Sequence, residues 1–151
     1  MKIFIDADGC PVTKIVAEIA KKENIECIIV CDTSHEFIFE NVKTVIVDKG
    51  RDSADFRIAN MVSQNDIVVT QDYGLASMCL SHKVFPISQN GMRYTDKNID
   101  SLLMSRYISK KARESSKRIK GPGKRNSEND ETFLREFIKL INEIKSKEKG
   151  D

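Results

Sequence analysis

Lys2-Ile3-Phe4-Ile5-Asp6-Ala7-Asp8-Gly9-Cys10-Pro11-Val12 is the stretch on which the reading of this chain turns. Ile3, Phe4 and Ile5 form a short apolar run of strand type, and two carboxylates follow it at once. Gly9 and Pro11 then break the strand, and Pro11 suits the first turn of a helix. A buried strand that ends on Asp-x-Asp places negative charge at the carboxyl edge of a sheet. In open α/β sheets that is the edge where ligands bind.

Outward from this stretch, strand and helix patterns alternate. Val12, Ile15, Val16, Ile19 and Ala20 recur at helical spacing and predict a helix from about Pro11 to Asn24. Cys27–Cys31 is a continuous apolar run, as expected of a strand covered on both faces. Asp32-Thr33-Ser34-His35 reads as a turn, and Phe37-Ile38-Phe39 as a short turn or edge segment. Further strands are expected at Thr44–Val47, Ile67–Thr70 and Val84–Phe85, the last ended by Pro86. One helix opens at Gly50-Arg51-Asp52 with apolar positions Phe56, Ile58, Ala59 and Val62, and a second opens at Asp72 with Leu75, Ala76, Met78, Cys79 and Leu80. A third is capped by Asp96 or Asn98 and carries Ile99, Leu102, Leu103, Tyr107 and Ile108. Residues 115–130 are rich in Ser, Gly, Lys and Asn and read as a flexible loop. A final amphipathic helix carries Phe133, Leu134, Phe137, Ile138, Leu140, Ile141 and Ile144. The alternation means βαβ units, hence an α/β fold: a three-layer α/β/α sandwich with a mostly parallel sheet. Residues 1–144 make one domain, and 145–151 a polar C-terminal tail.

The 151 residues are the length of one domain by the usual prior of ~100–200 residues. The net charge of +2 hides an asymmetry: residues 1–100 hold 11 Lys/Arg against 15 Asp/Glu, and residues 101–151 hold 14 against 8. An acidic body with a basic C-terminal part suits a site that holds metal in one place and phosphate in another. The first apolar run is too short for a signal peptide, and no run reaches the ~20 apolar residues of a membrane span. The four cysteines form no CxxC pair. A cytoplasmic protein with reduced thiols and no membrane association is expected.

Three places carry carboxylates near predicted strand ends: Asp6 and Asp8, Asp52 and Asp55, and Asp72. In a parallel sheet all carboxyl ends share one edge, so these acids can converge although they are distant in sequence. Taken singly, most have a structural explanation. Asp52 and Asp55 have capping-box spacing, and Asp8 and Asp72 suit helix N-caps. Asp6 fits this account least, since it ends a strand directly. Two like charges ~4 Å apart repel by ~4 kcal/mol near a protein surface. A cluster therefore calls for a cation, and oxygen ligands point to Mg²⁺ or Mn²⁺ rather than zinc.

At Asp6, at Gly50-Arg51-Asp52-Ser53-Ala54-Asp55 and at Thr70-Gln71-Asp72, the chain resembles the PIN-like nuclease superfamily. More closely, it resembles the bacterial YaiI/YqxD family. That resemblance rests on Asp6-Ala7-Asp8-x-Cys10-Pro11-Val12, Gly50-x-Asp52-x-Ala54-Asp55, Thr70-x-Asp72-x-x-Leu75-Ala76 and Gly91-x-x-Tyr94. It continues through Asn98-Ile99, Arg106, Gly121-Pro122 and Asp130-x-x-Phe133. The family is uncharacterised. The resemblance implies an α/β/α domain and, through the superfamily, metal-dependent phosphodiester hydrolysis, with Asp6, Asp52, Asp55 and Asp72 as catalytic candidates and Asp8 completing the metal set. Asp6-x-Asp8-Gly9 is also similar to the opening motif of haloacid-dehalogenase-type phosphatases. That chemistry needs its acidic pair after the Ser/Thr, and here Asp52 and Asp55 precede Thr70.

From Arg106 to Arg125 there are nine Lys/Arg and one acid, Glu114. Arg106, Lys110 and Arg113 fall on one helical face, with Lys117 and Arg118 beyond. With Arg93 they are the candidates to hold a nucleic-acid backbone, RNA rather than DNA. The alternative for the segment is a solvated surface helix. Tyr94 and Tyr107 either stack on bases or pack against the body. A zinc site from Cys27, Cys31, Cys79 and His82 competes with burial of small apolar side chains, which suffices for the strand cysteines. Cys10, near the acids, has no His nearby in sequence to activate it. The leading expectation is a Mg²⁺- or Mn²⁺-dependent nuclease. The alternative is a nucleic-acid-binding module without catalysis.

Overall fold

The computed structural model describes residues 1–32, 39, 41–48, 53–114 and 124–150. Ten elements follow in chain order: β1 (Lys2–Asp6), α1 (Thr13–Lys22), β2 (Glu26–Asp32), β3 (Val42–Val47), α2 (Ser53–Met61), β4 (Ile67–Val69), α3 (Tyr73–Ser81), β5 (Phe85–Ile87), α4 (Ile99–Glu114) and α5 (Ser127–Lys149). The five strands form one sheet in the order β3-β2-β1-β4-β5. Every pairing is parallel, with Phe4 beside Ile28 on one side and Val68 on the other.

The apolar runs of the sequence are strands buried on both faces, as the continuous pattern demands. Ile3 and Ile5 point into a core shared with Val16 of α1 and Phe133, Phe137 and Leu140 of α5. Phe4 points the other way, into a core with Ile58 of α2 and Leu75 and Cys79 of α3. Helices thus cover both faces and give the three-layer α/β/α sandwich. Burial of each such large side chain contributes about 1.5–3 kcal/mol. The Phe133 and Phe137 rings stack at 5.2 Å and anchor α5. Outside α3, the first turns of α4 pack through Ile99, with Leu102 and Leu103 alongside, against Ala76 and Tyr94.

Several expectations are refined. Pro86 does not end β5 but sits in its middle, opposite Val68. The backbones of Phe85 and Ile87 bond to β4, through Phe85 N–H to the Asp66 carbonyl and Thr70 N–H to the Ile87 carbonyl. The backbone of Pro86 therefore faces the outer edge, where its missing N–H breaks no ladder bond. Its carbonyl there accepts the Tyr94 N–H at 3.1 Å. Phe56, expected on the apolar face of α2, is 65% exposed, and Met78 of α3 is also exposed, because Ile58 and Cys79 take the core-facing positions. The helix expected to give way to a polar tail at 145 continues to Lys149, and Lys145 pairs with Glu23 at 2.7 Å. Phe39 packs against the α1/α5 core; Phe37 and Ile38 lie outside the described residues, as do 49–52, where α2 was expected to open.

Candidate functional site

The chain leaves β1 toward β2 on one side and later returns to β4 on the other. The carboxyl ends of β1 and β4 therefore flank the point at which strand order reverses. That crevice is the expected ligand position of an open α/β sheet. A cavity of about 90 Å³ lies there, lined by Asp6, Asp8, Cys10, Thr70, Gln71 and Gln89 among others.

Asp6 is the last residue of β1, and Thr70 follows the end of β4. Parallel pairing brings them together, and the buried Thr70 hydroxyl donates to Asp6 Oδ2 at 2.8 Å. The same hydroxyl accepts the Asp72 N–H at 2.9 Å. Its backbone carbonyl accepts the hydroxyl of buried Tyr94 at 3.0 Å. Thr70 is thereby fixed at three points, and it orients Asp6. Burial pushes the Asp6 carboxyl up to about 6 from an ordinary 3.8. The Thr70 hydrogen bond opposes the rise, and the charges of Asp72, Asp8 and Asp55 add to it. Three further carboxylates from two loops and α2 thus act electrostatically on Asp6.

Each of the other acids has a local role as well. Asp72 caps α3, with Oδ1 accepting the N–H groups of Gly74 at 2.9 Å and Leu75 at 3.1 Å. Asp55 lies in the first turn of α2, where Oδ1 accepts the Phe56 N–H. Asp8, a candidate N-cap, does not cap α1: Val12 occupies that position and no side chain caps it. Gly9 at φ +74° turns the chain, and the Asp8 carboxylate instead accepts the Asp32 N–H from β2 at 3.2–3.3 Å. Asp52 lies outside the described residues. Among the described residues, no three His, Cys, Asp or Glu side chains stand close enough together to hold a metal ion. Of these acids only Asp6 and Asp8 line the pocket, Asp6 bound by the Thr70 hydroxyl and Asp8 by the Asp32 N–H.

The basic candidates divide. Arg106 projects from α4 to within 3.8 Å of Asp72. Arg106, Lys110 and Arg113 are exposed on α4 and continue the side by which Ile99, Leu102 and Leu103 pack on α3. The second half of α4 therefore presents cations from the acidic edge outward. Tyr107, between them, is 57% exposed rather than packed against the body, with Lys111 5.7 Å from its ring centroid. Arg93 is engaged elsewhere, with Glu143 of α5 at 2.6 Å. Lys117 and Arg118 lie outside the described residues. Cys27, Cys31 and Cys79 are buried, as small apolar residues would be.

Three residues at this edge escaped the sequence reading. Gln71 stood inside Thr70-x-Asp72 as an unremarked position, Gln89 gave no sequence signal, and Arg125 stood only as the last member of the basic segment, with nothing to tie it to the pocket. Arg125 holds the turn after β5 by donating to Asp130 Oδ1 at 2.8 Å, Asn90 Oδ1 at 2.7 Å and the Gln89 carbonyl at 2.9 Å.

Fold and site together define a doubly wound α/β protein with an acid-lined pocket at its switch point and a basic helix at the rim. The chain belongs to a family described as uncharacterized, the YaiI/YqxD family, whose model matches residues 4–143. It is 43% identical over 143 residues to a UPF0178 protein of Exiguobacterium sibiricum, covering 95% of this chain and 98% of that one. It is 44% identical over 145 residues to a UPF0178 protein of Clostridium acetobutylicum, covering 93% and 97%. A UPF0178 protein of Ruminiclostridium cellulolyticum is 46% identical over 142 residues, covering 93% and 92%. No solved structure matches the chain. No helix among the described residues is long and apolar enough to cross a membrane.

Proposed function

We propose that this protein is a metal-dependent phosphodiesterase of the PIN-like kind, acting on nucleic acid, RNA rather than DNA, in the cytoplasm. One observation carries the reading: at the switch point the Asp6 carboxyl is pushed up chiefly by burial and further by the charges of Asp72, Asp8 and Asp55, while Arg106 of a basic helix reaches Asp72. A fold that gathers repelling carboxylates at a ligand edge is destabilised by them unless a cation binds. On this reading Asp6 and Asp8, the two acids that line the pocket, would hold Mg²⁺ or Mn²⁺ with water filling the rest of its shell, and Asp55 and Asp72 would add negative charge around it; the ion when bound activates water and stabilises a phosphoryl transition state. Thr70 fixes the orientation of Asp6. The α3 cap fixes Asp72. Arg106, Lys110 and Arg113 draw the phosphate backbone toward the pocket, and Tyr107 offers an exposed ring to an unpaired base.

The contact of Arg106 with Asp72 favours a second reading, because it offsets one of the acids without a metal. On that reading the protein binds nucleic acid and does not cleave it. The test uses the whole chain with single-stranded RNA, in Mn²⁺ and in EDTA. The enzyme reading expects Mn²⁺-dependent cleavage and a rise in melting temperature with millimolar Mn²⁺, both lost in Asp6→Asn and Asp72→Asn. RNA binding that is equal in EDTA, without cleavage, supports the binding module instead. Release of phosphate from small phosphomonoesters points to the phosphatase chemistry.

A further inference from the structure

The pocket that Asp6 and Asp8 line is also walled by two glutamines, Gln71 and Gln89. Gln71 follows β4 directly, between Thr70 and Asp72, and Gln89 belongs to the turn after β5. The Gln89 backbone N–H donates to Gln71 Oε1 at 2.9 Å. A backbone N–H is a donor only, so the side-chain atom it meets must be the oxygen. The orientation of the Gln71 carboxamide is therefore settled by its partner. Its –NH₂ end makes no hydrogen bond among the described residues and is the end left for a ligand.

The Gln89 N–H is itself held in place. Arg125, at the entry to α5, donates to the Gln89 carbonyl and to Asn90, and is locked by Asp130 at 2.7 Å. The turn is pinned from its other side by Gly91 at φ +88°, whose Cα packs so closely on α5 that an added Cβ would lie 3.1 Å from the Thr132 carbonyl. A chain of fixed contacts thus runs from α5 through Arg125 and Gln89 to Gln71.

We propose that Gln71 donates from Nε2 to a non-bridging oxygen of the phosphate that the pocket receives, and that Arg125 is the residue that positions it. The proposal rests on the phosphodiesterase reading and adds a substrate contact to it. A neutral donor suits this wall for a physical reason. A Lys or Arg here would pair with Asp6 or Asp8 and occupy the cation's place, whereas a carboxamide offers an N–H to the anion and leaves the carboxylates uncompensated.

The test measures cleavage by the whole chain in Mn²⁺ of a short single-stranded RNA carrying one phosphorothioate at the scissile linkage, each diastereomer separately. Gln71→Leu is expected to lower kcat/KM for the all-oxygen RNA about 10- to 100-fold, the value of one hydrogen bond to a charged group. For one diastereomer only, replacement of the bonded oxygen already removes the contact, and Gln71→Leu then costs little more. Arg125→Met is expected to reproduce the loss in the wild-type background and to add little in Gln71→Leu; Arg125→Lys restores only part. Circular dichroism and the melting temperature of each variant confirm the fold, and Gln71→Leu should retain the Mn²⁺-induced rise in melting temperature. Equal losses for both diastereomers, or activity unchanged in Gln71→Leu, overturn the inference while cleavage by the wild type keeps the phosphodiesterase reading. A wild type inert toward RNA and DNA overturns both.

Discussion

Replacing Asp6 by Asn should make the metal-free protein more stable at neutral pH. Burial and the fields of Asp72, Asp8 and Asp55 push its carboxyl from 3.8 to about 6, with the Thr70 hydroxyl only partly offsetting them. At about 1.4 kcal/mol per pK unit, holding Asp6 ionised in the native state costs about 3 kcal/mol as an upper bound. Asn keeps an oxygen for the Thr70 hydroxyl and has no charge to desolvate. The raised pKa means that the native state keeps a proton the unfolded chain has already released. The stability this brings is complete below pH 3.8 and is lost progressively up to about pH 6. Wild type and Asp6→Asn should therefore unfold alike near pH 4 and diverge above it, with the full gap in place by pH 7. Urea melts in EDTA at pH 4, 5, 6 and 7.5 measure this directly. For a chain of this size, about 3 kcal/mol corresponds to about 6–12 °C in melting temperature. An Asp6→Asn variant no more stable than wild type at pH 7.5 would refute the reasoning. So would a gap of the same size at every pH, which would mark a packing effect rather than a charge.

Other outcomes follow from particular contacts. Gly91→Ala should destabilise by about 2 kcal/mol or more in denaturant melts, because the positive φ strains any side chain and the new Cβ meets the backbone of Thr132 and Phe133. Tyr94→Phe should cost about 1–2 kcal/mol, the value of a buried hydrogen bond whose acceptor, the Thr70 carbonyl, is left unpaired; the same melts read it. Arg106→Met should weaken binding of a single-stranded oligonucleotide and reduce the slope of log affinity against log salt by about 1, as for loss of one phosphate contact. Fluorescence anisotropy at several salt concentrations tests this, and an unchanged slope would remove Arg106 from the interface.

Much of the architecture could be read without coordinates, because the strands are buried on both faces and so appear as unbroken apolar runs. Lys2–Asp6 matches β1 residue for residue, and the helices lie where the apolar spacing puts them. Boundaries moved where tertiary context overrode local preference. Pro86 sits inside a strand only because its backbone faces away from β4, on the outer side of the last strand, which strand order decides. Phe56 stands in solvent because the neighbouring Ile58 has the core-facing side of α2. Among the acids, Asp6 and Asp8 cap no helix, while Asp72 caps α3 and is tied to Asp6 through the Thr70 hydroxyl.

By itself the sequence determined that strands and helices alternate, that acids follow strand ends and that the basic residues gather late in the chain. These are local properties, set by periodicity and by which residue follows which. Only the tertiary structure decided that the carboxyl ends of β1 and β4 are neighbours, that Asp8 turns to β2, and that Arg93 pairs with Glu143 of α5 while Arg106 approaches Asp72. Only it disclosed Gln71, Gln89 and Arg125 as one connected wall. The reason is that hydrogen bonds and desolvation depend on distances across the chain, and residues 71, 89 and 125 carry no periodic or charge pattern that links them before the chain folds.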